Sequence, residues 1–186
     1  MAELHLSVIQ TQSLPISEIV QPEPSWYALQ TYARSEKKVV MQLQGKGVET
    51  FLPISKEIHR WSDRRKTVEL ALLPGYVFVR AVLTLQTRLN VLQTYGVNSF
   101  VTFGGEVPPI PDQQIAELRL LSENNINCSQ TPFINIGQRV RVRGGCLEGL
   151  QGILVSRHGE KVLVLSIDSI QRSIAIEIGE YKLEPI

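Results

Sequence analysis

The sequence predicts an α+β protein, an N-terminal α/β sandwich followed by a small C-terminal β-barrel. Three observations carry this. Up to residue 122, period-two stretches alternate with helical-period stretches in the order strand, helix, strand, strand, helix, strand, helix. Ser122 to Asn135, SENNINCSQTPFIN, then clusters Asn, Ser, Thr and Pro without any period. Beyond it come only short β-rich runs, RVRV, GILV, KVLVLSI and SIAIEI, separated by turns. The roughly 50 residues left suit a small barrel whose core is marginal by itself.

In chain order, residues 1–24 show no sustained periodicity and read as a flexible extension. Residues 25–122 form the first domain. Trp26 to Tyr32 is a strand, with Trp26, Ala28 and Gln30 on one face and Tyr27, Leu29 and Thr31 on the other. From Ser35 the period changes: Val39, Val40 and Leu43 recur at helical spacing, and Gly45 and Gly47 mark the end. Val48 to Ile54 is a second strand. KEIHRWSDRRKTVE follows, polar and basic, as a long hairpin or mobile loop. Pro74-Gly75 is a turn, because Pro fixes φ and Gly accepts angles closed to other residues. It launches the central strand, where Tyr76, Phe78 and Arg80 alternate with Val77 and Val79. The two rings on one face are either core or a docking surface. Residues 84–95 suit a helix with Thr84 as N-cap and Leu85, Leu89 and Leu92 on one face. Val97 to Phe103 is a strand closed by Gly104-Gly105. Pro111-Asp112 starts an amphipathic helix with Ile115, Leu118 and Leu121 or Leu120 as its stripe. Residues 123–135 are the linker and 136–186 the barrel, with HGE at 158–160 as a hairpin turn.

Composition narrows the function classes. No apolar run approaches the roughly 18 residues of a membrane span. The N-terminus lacks the basic region of a secretory signal, and Cys128 and Cys146 stand apart without a CxxC pattern. A cytoplasmic protein without membrane contact, disulfide framework or zinc site is expected. His5, His59 and His158 fall in a tail, a basic loop and a turn, and GGCLEGLQG has no Lys-Ser/Thr, so it is not a phosphate-binding P-loop. Neither catalysis nor a metal or cofactor is expected. Net charge is only +1, yet residues 1–33 hold three acids and no Lys or Arg, whereas residues 34–66 hold nine basic residues and four acids, a local balance of +5. Such a stretch is either a solvated face or an attractor for a nucleic-acid backbone.

The ordered pieces resemble a known family. Trp26-Tyr27, Thr31, Glu36, Lys37 and Val39 are similar to the opening of the NusG N-terminal (NGN) domain, and Pro-Gly-Tyr-Val-Phe-Val to its most recognisable internal motif. Tyr95 to Gly105 resembles the strand that follows. VRVRGGCLEGLQG, Val140 to Gly152, is similar to the KOW motif, with Gly149 and Gly152 in place. The basic loop WSDRRKTVE ahead of the Pro-Gly-Tyr turn looks like the specialised paralogues, RfaH and the UpxY-type antiterminators of capsular and exopolysaccharide gene clusters. Housekeeping NusG, and a KOW-type RNA- or ribosome-binding protein, are the alternatives.

The resemblance implies a monomeric transcription elongation and antitermination factor. Its N-terminal domain would seat an apolar depression on the clamp helices of RNA polymerase and suppress pausing or termination. The depression is expected around Tyr76 and Phe78, supported by Leu29 and Phe51, with Thr87 and Arg88 near the opposite wall of the polymerase cleft. Arg34, Lys37, Lys38 and Lys46 would face upstream DNA or the non-template strand, joined by Trp61, Arg64 and Arg65 of the loop. Cations supply sequence-neutral phosphate affinity and an aromatic ring stacks on an unpaired base. Leu150 and Ile153 are expected on an exposed apolar edge of the KOW domain. That domain contacts a small-subunit ribosomal protein in relatives and Rho in NusG, and refolds from a helical hairpin in RfaH. The β-branched KVLVLSI favours the barrel here.

Overall fold

The computed structural model describes residues 23–60, 65–126, 128–134, 136–157, 160–179 and 181–186. The α+β class is as expected. Four antiparallel strands form the first sheet: β1 (Ser25–Thr31), β2 (Glu49–Phe51), β5 (Tyr76–Ala81) and β6 (Val97–Phe100), in the order β2-β5-β1-β6. The hairpin of β3 (Ile54–Arg60) and β4 (Arg65–Ala71) stands apart as a two-stranded ribbon. Register places Ala28 opposite Phe78 and Leu29 opposite Val77, so the period-two faces of β1 and β5 align.

Each face of this sheet is covered. Leu29, Val77 and Val79 pack under α1 (Glu36–Gly45) and α2 (Leu85–Leu92), against Val39, Leu43 and Val91. Trp26, Ala28 and Phe78 pack under α3 (Asp112–Glu123), against Ile115, Leu118 and Leu121. The turn at Pro74-Gly75 is held by Gly75, at φ +82, whose N–H donates to Glu36 Oε1 at 2.8 Å.

The helix α2 has the expected cap and leucine face, and it turns that face outward. Thr84 caps it, accepting from Thr87 N–H at 3.1 Å. Its inward stripe, however, is Thr87, Val91 and the following Thr94, while Leu85, Leu89 and Leu92 face outward. Val91 packs with Leu29, Val39 and Leu43, and Lys46, just past α1, donates Nζ to Asn90 O at 2.8 Å and to Thr94 Oγ1 at 2.7 Å, contacts that hold this face toward the sheet.

The second sheet has six antiparallel strands in the order β12-β8-β9-β10-β11-β7. They are β7 (Cys128–Thr131), β8 (Gln138–Arg143), β9 (Gln151–Arg157), β10 (Glu160–Ile167), β11 (Arg172–Glu177) and β12 (Lys182–Pro185). Strand β7 comes from the stretch read as linker; it pairs with β11 from Ser173↔Thr131 to Ile176↔Cys128. Ile134 packs on Ile153, Val162, Val164 and Ala175, and its N–H donates to Ser173 Oγ at 3.1 Å. Unpaired strand edges and apolar sheet faces recruit whatever chain lies beside them, which local composition does not reveal. Gly152 allows β9 to approach β10: a Cβ there would stand 2.7 Å from Val164 O.

The two parts touch along α3, which packs on the 3-10 turn Gly145–Leu147. Asn124 Nδ2 donates to Cys146 O at 3.5 Å, and Ser169 Oγ to Pro109 O at 3.5 Å. Among the described residues, no helix is long and apolar enough to cross a membrane.

Candidate functional site

The aromatic group begins with the period-two pattern of β1 and β5. Antiparallel pairing puts Trp26 opposite Arg80 and Ala28 opposite Phe78, while β2 adds Phe51 opposite Phe78. Phe51 stacks near Phe78 with centroids 6.2 Å apart and meets Trp26 edge-on at 6.5 Å, both favoured arrangements for rings with a negative face and positive edge. Arg119 of α3 lies over both Trp26, at 5.5 Å, and Phe51, at 5.1 Å, and Arg119 and Arg80 each approach Glu49 at 3.8 Å. Sequence reasoning missed Arg119. Its place one helical turn beyond Ile115 is the signal that would have put it on the apolar side of α3.

This geometry divides the expected docking residues. Phe78 has no exposed surface and is core. Leu29 is equally buried but on the α1/α2 face, because neighbouring positions on a strand point to opposite sides; it cannot share a surface with Tyr76. Phe51 and Tyr76 are half-buried. Tyr76 lines a cavity of about 390 Å³ with Leu73 and Pro74 on one side and Gln130, Pro132 and Arg172 on the other. The aromatic rim of the first sheet therefore faces residues of β7 and β11. Thr87 is half-buried toward the sheet, while Arg88 is exposed.

The basic residues separate too. Arg34, Lys37, Lys38 and Lys46 are exposed. Lys37 Nζ donates to Glu69 Oε2 at 2.8 Å, which ties α1 to β4, and the ammonium holds the Glu69 carboxyl below its ordinary range. Arg34 and Lys37 line a cleft of about 760 Å³ with Leu52, Leu70, Pro74 and Cys128. Arg34 takes a left-handed φ of 62, turning the chain from β1 into α1. Lys46 is engaged with α2 as above. Arg65 opens β4 opposite Arg60; Trp61 and Arg64 lie outside the described residues.

In the second sheet, Leu150 and Ile153 are buried, correcting their expected exposure. Leu150 N–H donates to Leu147 O at 3.0 Å, closing the turn inward, and Ile153 sits beneath Gly137 and Ile134. The thiol of Cys128 is pushed up to about 12 by burial, so it stays protonated and unreactive. Between the two sheets, Glu117 of α3 is only 7% exposed. It accepts from Gln113 Nε2 at 3.2 Å and from the Gln151 backbone, near Arg139, and burial raises its pKa. Neither Glu117 nor Arg172 was singled out from the sequence, since only the packing of two distant segments gives them meaning. No cluster of three or more metal-ligating side chains occurs among the described residues.

The family model described as transcription termination factor NusG matches residues 24–119, which span β1 to α3 and just over half of the chain. The chain belongs to the NusG family. NusG-family proteins are transcription factors, not enzymes. The transcription termination/antitermination protein NusG of Lactococcus lactis is 26% identical over 182 residues, covering 91% of this chain and 97% of the relative. The NusG of Borreliella burgdorferi is 25% identical over 182 residues, covering 87% and 98%. That of Chlamydia pneumoniae is 29% identical over 129 residues, covering 64% and 71%. A solved structure, "Domain interaction in Thermotoga maritima NusG", superposes with a TM-score of 0.53 at 20% identity, covering 86% of this chain and 97% of that one. It has the same fold.

Proposed function

We propose that this NusG-family chain binds RNA polymerase through residues 25–122 and suppresses pausing or termination at particular operons, in the manner of the RfaH and UpxY paralogues. The observation that carries the polymerase reading is the aromatic rim of β5 and β2 within the segment matched by the family model. Tyr76 and Phe51 offer half-buried rings above the closed core of Phe78, a surface suited to seat the clamp helices. A factor bound on a mobile clamp acts by differential affinity: it populates whichever clamp state it binds better, so no chemistry is required of it.

The specialised role rests on the basic WSDRRKTVE loop, with Arg34 and Lys37 beside its ribbon and the exposed Lys38 of α1 as a path for upstream or non-template DNA. Polysaccharide clusters are the target class that this likeness implies. The relatives described above are each named NusG, which favours a second reading, the housekeeping factor. Residues 136–186 would take the KOW role, contacting a small-subunit ribosomal protein or Rho. Because Leu150 and Ile153 are core, that contact would fall on other residues.

The test is capture of core RNA polymerase by the full chain beside a folded Tyr76→Ala variant, followed by chromatin occupancy. Binding that the variant loses supports the docking face; failure of the wild type to bind refutes the polymerase reading. Occupancy confined to a few operons supports the specialised role, and genome-wide occupancy supports the housekeeping one.

A further inference from the structure

The outward leucine stripe of α2 has no covering element among the described residues. Leu85 is 76%, Leu89 43% and Leu92 40% exposed, at i, i+4 and i+7 along one face. The same helix buries only Val91 fully. It therefore turns its largest aliphatic side chains away from the core, an arrangement that marks an interaction surface more often than a monomer's surface. The face carries a cation, Arg88, and α2 has no acid.

The chain itself supplies an occupant of matching chemistry. Residues 1–22 lie outside the described residues. They contain Leu4, Leu6, Val8, Ile9, Leu14, Ile16, Ile19 and Val20, with Glu3 and Glu18 and no Lys or Arg. Their point of entry is fixed. Ser25 pairs with Ala81, and Pro24 O accepts from Arg80 Nε at 3.4 Å, so the segment joins the fold beside the end of β5, four residues before α2 begins. At roughly 3.3 Å per residue, Ile16 to Val20 reach about 10–25 Å from Glu23. Leu85 follows Ala81 by four residues, at most about 13 Å of chain, so the start of the stripe lies within that reach; the stripe, on a helix of eight residues, is about 12 Å long.

We propose that residues 1–22 dock back on α2, with aliphatic side chains of the Ile16–Val20 portion covering Leu85, Leu89 and Leu92 and the acidic segment meeting Arg88. The tether makes the contact intramolecular, so a small apolar area suffices to populate it. This surface is separate from the Tyr76 rim and lies on the opposite face of the sheet.

The experiment uses the full chain with the photo-crosslinker p-benzoylphenylalanine in place of Leu85, an exposed position. Irradiation is followed by peptide mapping and by gel analysis. A second chain adds Ile16→Asp, Ile19→Asp and Val20→Asp. These positions lie outside the described residues, and circular dichroism checks that the fold is intact. The expected result is an internal link from position 85 to a peptide within residues 1–22, reduced roughly tenfold or more in the Asp variant, since three aliphatic contacts are lost. Slower exchange of α2 amides in the wild type than in the Asp variant should accompany it. A cross-linked dimer would assign the stripe to a second copy of the chain and overturn the proposal. Links that avoid residues 1–22, or that persist unchanged in the Asp variant, would overturn it as well.

Discussion

Replacing Phe78 and Tyr76 by alanine, one at a time, separates the core of the β5 face from its rim. Phe78 has no exposed surface and touches the ring of Phe51, with centroids 6.2 Å apart. Emptying such a site costs about 3–5 kcal/mol through lost transfer energy and the cavity left behind. Loss of the ring pair adds about 0.5–1.5 kcal/mol. Against a total stability of about 5–15 kcal/mol, Phe78→Ala is close to unfolding the domain. For a chain of this size, about 2–4 °C of Tm per kcal/mol gives an expected fall of about 10 °C or more. Tyr76 is half-buried at the cavity edge, so its truncation costs only about 1–2 kcal/mol. Thermal melts by near-ultraviolet circular dichroism, with polymerase capture at a temperature where each variant is folded, read both effects. Phe78→Ala should lose binding only in step with its folded fraction, whereas Tyr76→Ala should stay folded and lose roughly tenfold or more in affinity. A Phe78→Ala protein that melts within about 2 °C of wild type, yet no longer binds polymerase, would refute the reasoning.

Gly152→Ala should destabilise the second sheet by about 1–3 kcal/mol, because its Cβ would stand 2.7 Å from the Val164 carbonyl oxygen; urea unfolding measures it. Val91→Ala should cost about 2 kcal/mol, from two buried methyl groups and the space they leave, in the same assay. Thr84→Ala should cost about 1 kcal/mol by removing the cap on Thr87 N–H. Burial raises the folded-state pKa of Glu117 above its unfolded value, so its contribution is fully present below the unfolded pKa and is lost as pH rises through the folded one. Urea midpoints should therefore show a decline across that window in the wild type that is absent in Glu117→Gln; parallel pH profiles would show that Glu117 is not the titrating group.

The sequence by itself determined most of the fold. Alternation in Trp26–Thr31 and Tyr76–Ala81 specified both faces of two strands, since a one-residue slip would have turned Leu29, Val77 and Val79 to the wrong side. The stripe Ile115, Leu118 and Leu121 specified the inner face of α3. The Pro-Gly-Tyr turn and the ordered motifs pointed to the NusG family, which the family match then showed. Period alone could not rank two stripes on one helix. Leu85, Leu89 and Leu92 were the more apolar set, yet Thr87, Val91 and Thr94 face inward, where Val91 packs with Val39 and Leu43 and Thr94 accepts from Lys46, just past α1. Nor could composition show that Cys128–Thr131 completes a sheet, since the open edge of β11 that recruits it is built from residues more than 40 positions away. Tertiary structure likewise decided that Phe78, Leu150 and Ile153 are core while Tyr76 stays at the rim. Local sequence records which side chains are apolar, and burial depends on what distant segments bring against them.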